Sequence, residues 1–470
     1  MFKIERNEFI LNKINDKKLI DVDNLLKNSL VDKNDVSSKL RQQILQLVKN
    51  YSKITHVEKT FIPGSSLIPV SGRTFNNIDL EMLVASSLDF WLTAGRFNKK
   101  FEDILSQFVN VDFTMTVNSG SSANLIAVSS LTSDTLGERA LKPGDEIITV
   151  AAGFPTTVNP IIQNNLIPVF VDVSIPEYSP NLDDVKEAIT DKTKAIMFAH
   201  TLGNPFQITE MMEIAKKHDL WVIEDCCDAL GSTVNGQHVG TFGDIGTLSF
   251  YPAHQITMGE GGAVFTNNPN LKRLMESFRD WGRDCFCQPG KNNTCGKRFE
   301  WQLGDLPFGY DHKYTYSNPG YNLKITEMQA AIGVAQLSHL PEFIEKRKKN
   351  FRLLREGLEH FENYLFLPVA TPDSDPSWFG FPITVKENSS FSKNDLISFL
   401  SSKLIDTRTV FAGNITKQPY FKNVEHRKIG NLSNTDLVMN NSFWIGVYPG
   451  ITEDMIKYVI QQFTEFFKAI

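Results

Sequence analysis

Between about residues 65 and 340 the chain alternates short apolar runs with helical patterning, and this alternation restricts the fold more than any other feature. Ile147-Ile148-Thr149-Val150, Ile167-Pro168-Val169-Phe170-Val171, Ala195-Ile196-Met197-Phe198-Ala199 and Leu220-Trp221-Val222-Ile223 are short and mostly apolar, and most are rich in β-branched residues. A strand with one wet face would alternate apolar with polar. Continuous apolar runs fit strands covered on both faces, as in a mostly parallel sheet. Helical stretches from Leu182 to Ile189 and from Glu210 to His218 fall between them, which makes the fold class α/β.

The flanks divide the rest. Residues 1–64 carry charges and helical patterning, with Leu40, Ile44, Leu45, Leu47 and Val48 as the apolar set. They read as an N-terminal helical extension, either an arm for a partner subunit or a cover for the active site. Residues 65–340 form the large domain. Residues 341–470 form a smaller α+β C-terminal domain, beginning with a long amphipathic helix from Glu342 to Phe361 and continuing through strand-like Trp378 to Thr384 and helical Asn394 to Leu404. A chain of 470 residues has room for this division.

Charge and hydropathy exclude several classes. A net charge of −6 gives no nucleic-acid footprint. No apolar run approaches the ~18 residues of a spanning helix. The start, Met1-Phe2-Lys3-Ile4-Glu5-Arg6-Asn7, has no hydrophobic signal core, so a cytoplasmic location is expected. All five cysteines, Cys226, Cys227, Cys285, Cys287 and Cys295, fall in one window. Clustered cysteines in a cytosolic chain read as metal ligands more readily than as disulfides.

Several segments carry chemistry. Asn118-Ser119-Gly120-Ser121-Ser122-Ala123-Asn124 opens a helix after the strand-like Thr114-Met115-Thr116-Val117. Small residues at a helix N-terminus suit a phosphate, and equally a plain cap. Asp225 ends an apolar run, where side chains of an α/β sheet face the usual ligand crevice; a capping or salt-bridged carboxylate is the alternative. Phe154 taken alone reads as core packing.

The stretch Ser249-Phe250-Tyr251-Pro252-Ala253-His254-Gln255-Ile256-Thr257, running into Gly259-Glu260-Gly261-Gly262, resembles the cofactor-lysine segment of the DegT/DnrJ/EryC/StrS sugar aminotransferases. The resemblance implies the fold-type-I architecture of enzymes that use pyridoxal phosphate (PLP). It puts the cofactor phosphate at Gly120, Ser121 and Ser249, an aromatic stacked on the ring at Phe154, and a carboxylate on the ring nitrogen at Asp225. The turn Gly320-Tyr321-Asn322-Leu323-Lys324 resembles the one in which the Asn322 position reaches the phosphate of a neighbouring subunit, which implies a homodimer. His254 stands where that family has its Schiff-base lysine. Imidazole has no primary amine to condense with an aldehyde, but it moves protons near neutral pH. A non-covalently bound pyridoxamine phosphate (PMP) is the expected cofactor, with His254 as the catalytic residue.

Within that family, residues 70–335 resemble the CDP-6-deoxy-4-hexulose 3-dehydrases, through Leu88-Asp89-Phe90-Trp91-Leu92-Thr93-Ala94-Gly95-Arg96 and Arg279-Asp280-Trp281-Gly282-Arg283-Asp284-Cys285 among others. Those enzymes carry a [2Fe–2S] cluster on the spacing C-x57-C-x-C-x7-C, and Cys227, Cys285, Cys287 and Cys295 match all three gaps. Four thiolates are the usual ligands of such a cluster. Bare spacing also permits structural zinc. Cys226 is the surplus thiol, read as a small buried apolar group. Asp225 and Cys227 lie two residues apart, so their Cα atoms are within ~7 Å; a cluster ligated there would sit beside the cofactor ring.

The resemblance implies removal of the C3 hydroxyl of a nucleotide-linked 4-keto-6-deoxyhexose, CDP-linked by preference, for 3,6-dideoxyhexose and lipopolysaccharide O-antigen synthesis. An NAD(P)H-dependent iron–sulfur flavin reductase would supply electrons. The alternative is a cluster-free 3-dehydratase that regenerates PMP from glutamate. Arg408 and Arg96 are candidates for substrate contacts, with ordinary structural arginines as the alternative reading.

Overall fold

The computed structural model describes residues 33–57, 60–287 and 290–469. The part of the expected N-terminal extension before residue 33 lies outside them. The helices used below are α1 Lys33–Thr55, α2 Asn77–Asp89, α3 Arg96–Val109, α4 Gly120–Ser130, α5 Pro155–Gln163 and α6 Glu327–Leu358. The strands are β1 Phe113–Val117, β2 Glu146–Val150, β3 Ile167–Val171, β4 Thr193–Ala199, β5 Trp221–Asp225, β6 Ile245–Ser249, β7 Gly262–Thr266, β8 Leu365–Phe366, β9 Gly380–Val385, β10 Arg408–Thr409, β11 Arg427–Lys428 and β12 Ser442–Gly446.

An eight-stranded sheet in the order β1-β7-β6-β5-β4-β2-β3-β11 forms the centre. β7 runs antiparallel to both of its neighbours, and the remaining pairs are parallel. The continuous apolar runs follow from this position. Ile148, Ile196 and Val222 enter the core on one face of the sheet. Their chain neighbours Ile147, Ala195 and Ile223 enter the core on the other. Each strand residue therefore faces an apolar layer, as the period of two requires. The parallel order also puts the ends of β1, β2, β4, β5 and β6 on one edge, where α/β sheets hold ligands.

A second sheet, β8-β9-β12-β10, packs its own core of Phe381, Ile383, Phe443 and Ile445 against Leu354, Leu358 and Phe463. α6 joins the two cores. It starts well before the helix expected from Glu342, because a capping box between Thr326 and Gln329 opens it at Glu327 and Pro341 is taken into its interior. The boundary expected at 340/341 thus falls inside one helix. At its first residue the buried Glu327 carboxylate accepts amide hydrogens from Gly95, Phe97 and Asn98 at 2.6, 2.8 and 2.8 Å. It meets the unpaired amides and positive pole at the start of α3. Among the described residues no helix is long and apolar enough to cross a membrane.

Candidate active site

A crevice of about 520 Å³ opens at the carboxyl edge of the large sheet and is closed on the far side by the small one. Ser119, Gly120 and Ser121 reach it from the end of β1, Phe154 and Thr157 from the end of β2, Asp225, Cys227 and Asp228 from β5, and Ser249, Tyr251 and His254 from β6. Phe379, Arg408, Phe411 and Trp444 complete the wall. Six expected residues, Gly120, Ser121, Phe154, Asp225, Ser249 and His254, thus line one cavity although they are spread over more than a hundred positions.

Each part is built from local chemistry. Ser119 caps α4 by accepting from the Ser122 amide at 3.1 Å, which leaves the first turn's remaining amides at the crevice floor. A Cβ on Gly120 would stand 2.4 Å from Ser249 Cβ and 2.9 Å from Cys227 Sγ. Only glycine lets the helix start touch β6 here, and the contact draws the Ser249 hydroxyl up to the same amides. The cradle fits a phosphate. Gly120→Ala is expected to push the start of α4 away from β6 and to weaken PMP binding at least tenfold. Fluorescence titration of PMP measures it, and an unchanged Kd would place the phosphate elsewhere.

Asp225 is buried. Its Oδ2 accepts from Asn124 Nδ2 and Thr157 Oγ1, both at 2.8 Å, and its Oδ1 from the Cys227 amide at 3.1 Å. Asn124 is itself fixed by the Thr247 hydroxyl at 2.6 Å. Asn124 and Thr157 were not assigned roles from sequence. The available signal was a polar Asn124 inside the otherwise small and apolar helix α4.

His254 Nδ1 faces Asp228 Oδ1 at 3.4 Å; it is buried and lacks a well-formed hydrogen bond. The Phe379 ring lies against the imidazole, centroids 5.2 Å apart. Phe154 exposes half of its ring surface to the crevice and meets Phe411 edge-on at 6.2 Å. Arg408 lines the crevice and pairs with Asp406 at 2.5 Å. Arg96 does not; it pairs with Asp89 at 2.7 Å. Asn322 also lies outside this crevice, exposed, with Lys324 donating to its Oδ1 at 3.1 Å.

The cysteines divide. Cys227 lies on the crevice wall. Burial, with the Asp225 carboxylate beside it, pushes its thiol well up. Cys285 and Cys287 line a separate cavity of about 630 Å³ between α3 and the loop after Arg279. Burial raises the Cys287 thiol, but hydrogen bonding from Thr294, whose hydroxyl is 3.0 Å away, brings it below the ordinary value. The Lys297 amide donates to Cys295 Sγ at 3.4 Å. Among the described residues no three of these sulfurs lie within 4.8 Å of one another. Among the described residues the one close set of ligand-type atoms is His200, Glu224 and Cys226. Its groups are already used: Glu224 accepts from the Gly240, Phe242 and Gly243 amides and meets His200 at 3.1 Å. It is a structural network that sequence reading missed.

The comparisons with known proteins bear on family and fold. Residues 76–464 match the model of the DegT/DnrJ/EryC1/StrS aminotransferase family. The chain is 60% identical over 431 residues to lipopolysaccharide biosynthesis protein RfbH of Salmonella typhimurium, covering 92% of this chain and 99% of that protein. It is 52% identical to a dTDP-4-dehydro-2,6-dideoxy-D-glucose 3-dehydratase of Saccharopolyspora spinosa, covering 91% and 92%. A solved GDP-4-keto-6-deoxymannose-3-dehydratase with a trapped PLP-glutamate geminal diamine superposes with a TM-score of 0.75 at 29% identity, covering 84% of this chain and 99% of that one. The architecture is that of fold-type-I PLP enzymes, and the chain belongs to the DegT/DnrJ/EryC1/StrS aminotransferase family.

Proposed function

We propose that this protein removes the C3 hydroxyl of a nucleotide-linked 4-keto-6-deoxyhexose, CDP-linked by preference, with PMP as its cofactor. The observation that carries the reading is His254. A family crevice complete with phosphate cradle, ring-facing Phe154 and buried Asp225 presents an imidazole where the aminotransferases present a lysine. The relatives at 60% and 52% identity are named for lipopolysaccharide synthesis and 3-dehydration.

PMP bound here supplies a primary amine for the C4 ketone and a ring that takes up negative charge. Asp225 keeps the ring nitrogen protonated, which makes the neighbouring carbon more acidic. Gly120, Ser121 and Ser249 hold the phosphate, and Phe154 offers a ring face for stacking. With Nδ1 turned to Asp228, His254 has Nε2 left to take the proton at C4′ and to deliver one to the departing hydroxyl. Asn322 serves the cofactor phosphate of a second copy in a homodimer working in the cytoplasm.

The finer part of the proposal is reductive. Cys227, Cys285, Cys287 and Cys295 hold a [2Fe–2S] cluster fed by an NAD(P)H-dependent iron–sulfur flavin reductase. The spacing and the four-thiol donor set support this. The alternative is the cluster-free reading, with PMP recovered from glutamate. Two measurements on one preparation decide. Release of labelled water from a C3-¹⁸O substrate tests dehydration, and its absence would sink the proposal. EPR after dithionite reduction, with iron and sulfide assays, is expected to show about one [2Fe–2S] cluster per chain; iron-free protein active with glutamate would establish the alternative.

A further inference from the structure

Behind the crevice wall lies an arginine that the chemistry above does not use. Arg347, in the middle of α6, is the largest fully buried side chain described. Its Nη2 donates to the His254 carbonyl at 2.9 Å, and its Nη1 to the carbonyls of Trp378 and Phe379 at 3.1 and 3.3 Å. Its Nε is buried without a hydrogen-bond partner. The void beside it is about 10 Å³, at the lower limit for one water. Burial pushes its pKa down to about 10, and the Asp228 carboxylate opposes that shift; the guanidinium is therefore charged at neutral pH. Asp228 is the same carboxylate that faces His254 Nδ1 at 3.4 Å.

The consequence is geometric. One planar fork holds the main chain of His254 and the main chain of Phe379, whose ring packs on the imidazole. Two neighbours of the imidazole, its own backbone and the ring beside it, thus depend on one side chain that never enters the crevice. A fully buried cation is costly unless satisfied. Carbonyls could have been met more cheaply by a neutral donor. A fixed fork, by contrast, can register two main-chain segments to each other.

We infer that Arg347 is a positioning residue for His254, setting the imidazole's orientation and tautomer between Asp228 and Phe379. The inference rests on His254 being the proton-transfer group.

The test uses full-length wild type, Arg347→Met, which keeps the stem without donors, and Arg347→Lys. Ring ¹⁵N spectra of ¹⁵N-histidine-labelled protein, assigned with His254→Gln, report the tautomer without any substrate. Wild type is expected to carry a proton on His254 Nδ1, the nitrogen that faces Asp228, and Arg347→Met to show a mixture of tautomers. Its kcat for C3 dehydration should fall tenfold or more, while KM and the PMP Kd stay within twofold, and Arg347→Lys should recover part of the loss. Wild-type spectra and kcat in Arg347→Met would overturn the inference. So would parallel losses in kcat, KM, PMP binding and Tm, which would make Arg347 only a structural tie. Should Arg347→Met fail to fold, Arg347→Lys and Arg347→Gln carry the same readings. If wild type dehydrates nothing yet its tautomer responds to Arg347, the proposed function fails and the positioning role stands. If wild type is active and neither readout responds, only the positioning role fails.

Discussion

A His254→Gln variant is expected to bind PMP as tightly as wild type and to lose on the order of 10²–10⁴ in the rate of C3 dehydration, the usual share of a positioned acid–base group. The amide fills much the same volume between Asp228 and Phe379, so the crevice keeps its shape. The phosphate cradle and Asp225 are untouched, so cofactor affinity has no reason to change. Single-turnover release of ¹⁸O-labelled water measures the step directly. A variant within tenfold of wild type would remove His254 from the chemistry. His254→Lys restores a primary amine at the same place and is expected to give a covalent PLP adduct, visible by absorbance, at the expense of dehydration.

The second large effect is at Asp225. An asparagine that keeps its oxygen toward Asn124 and Thr157 would turn its own amide donor on the Cys227 N–H, which now donates to Oδ1, and would leave no charge for the cofactor nitrogen. Removing one partner of a buried charge pair costs about 3–5 kcal/mol. Asp225→Asn should therefore lose roughly 10²–10³-fold in PMP affinity and rate combined. Equilibrium titration of PMP and single turnover on the same variant divide the loss between binding and chemistry. Wild-type values in both would show that Asp225 does not meet the ring. Thr157→Val, which removes one donor and keeps the charge, should show a much smaller effect in the same direction.

These expectations were available because the site is assembled from strand ends and helix starts, each marked by its own local sequence. An apolar run ending in Asp225, a Gly/Ser helix start and a motif with histidine in the lysine slot are local features, and the parallel sheet brings their ends to one edge. Features that need two distant segments were not readable. The link from Asn124 to Asp225 spans about a hundred positions, and no local pattern marks its partner. Arg347 looks in sequence like one more cation in Glu345-Lys346-Arg347-Lys348-Lys349; only packing separates it from its exposed neighbours. Periodicity alone placed this helix from Glu342, short of its start at Glu327, for a related reason. Residues such as Ala330, Ala331, Val334 and Ala335 are buried around much of the helix, so no polar stripe announces the period. The cysteine spacing fixes only separations along the chain. It did not foretell that Cys227 would stand on one wall and Cys285 and Cys287 in another cavity.

α6 has one more consequence. Glu327 at its start pins α3, Arg347 midway grips the His254 segment and the entry to β9, and Leu354 and Leu358 near its end lie in the core of the smaller sheet. A clamshell motion of the two sheets would have to bend this rod or pull three carbonyls from a buried cation. The enzyme is built as a keyhole rather than a jaw. On the proposed function, the standing wall of Arg408, Phe411 and Trp444, rather than a hinge, is the place to begin a redesign for a different sugar nucleotide.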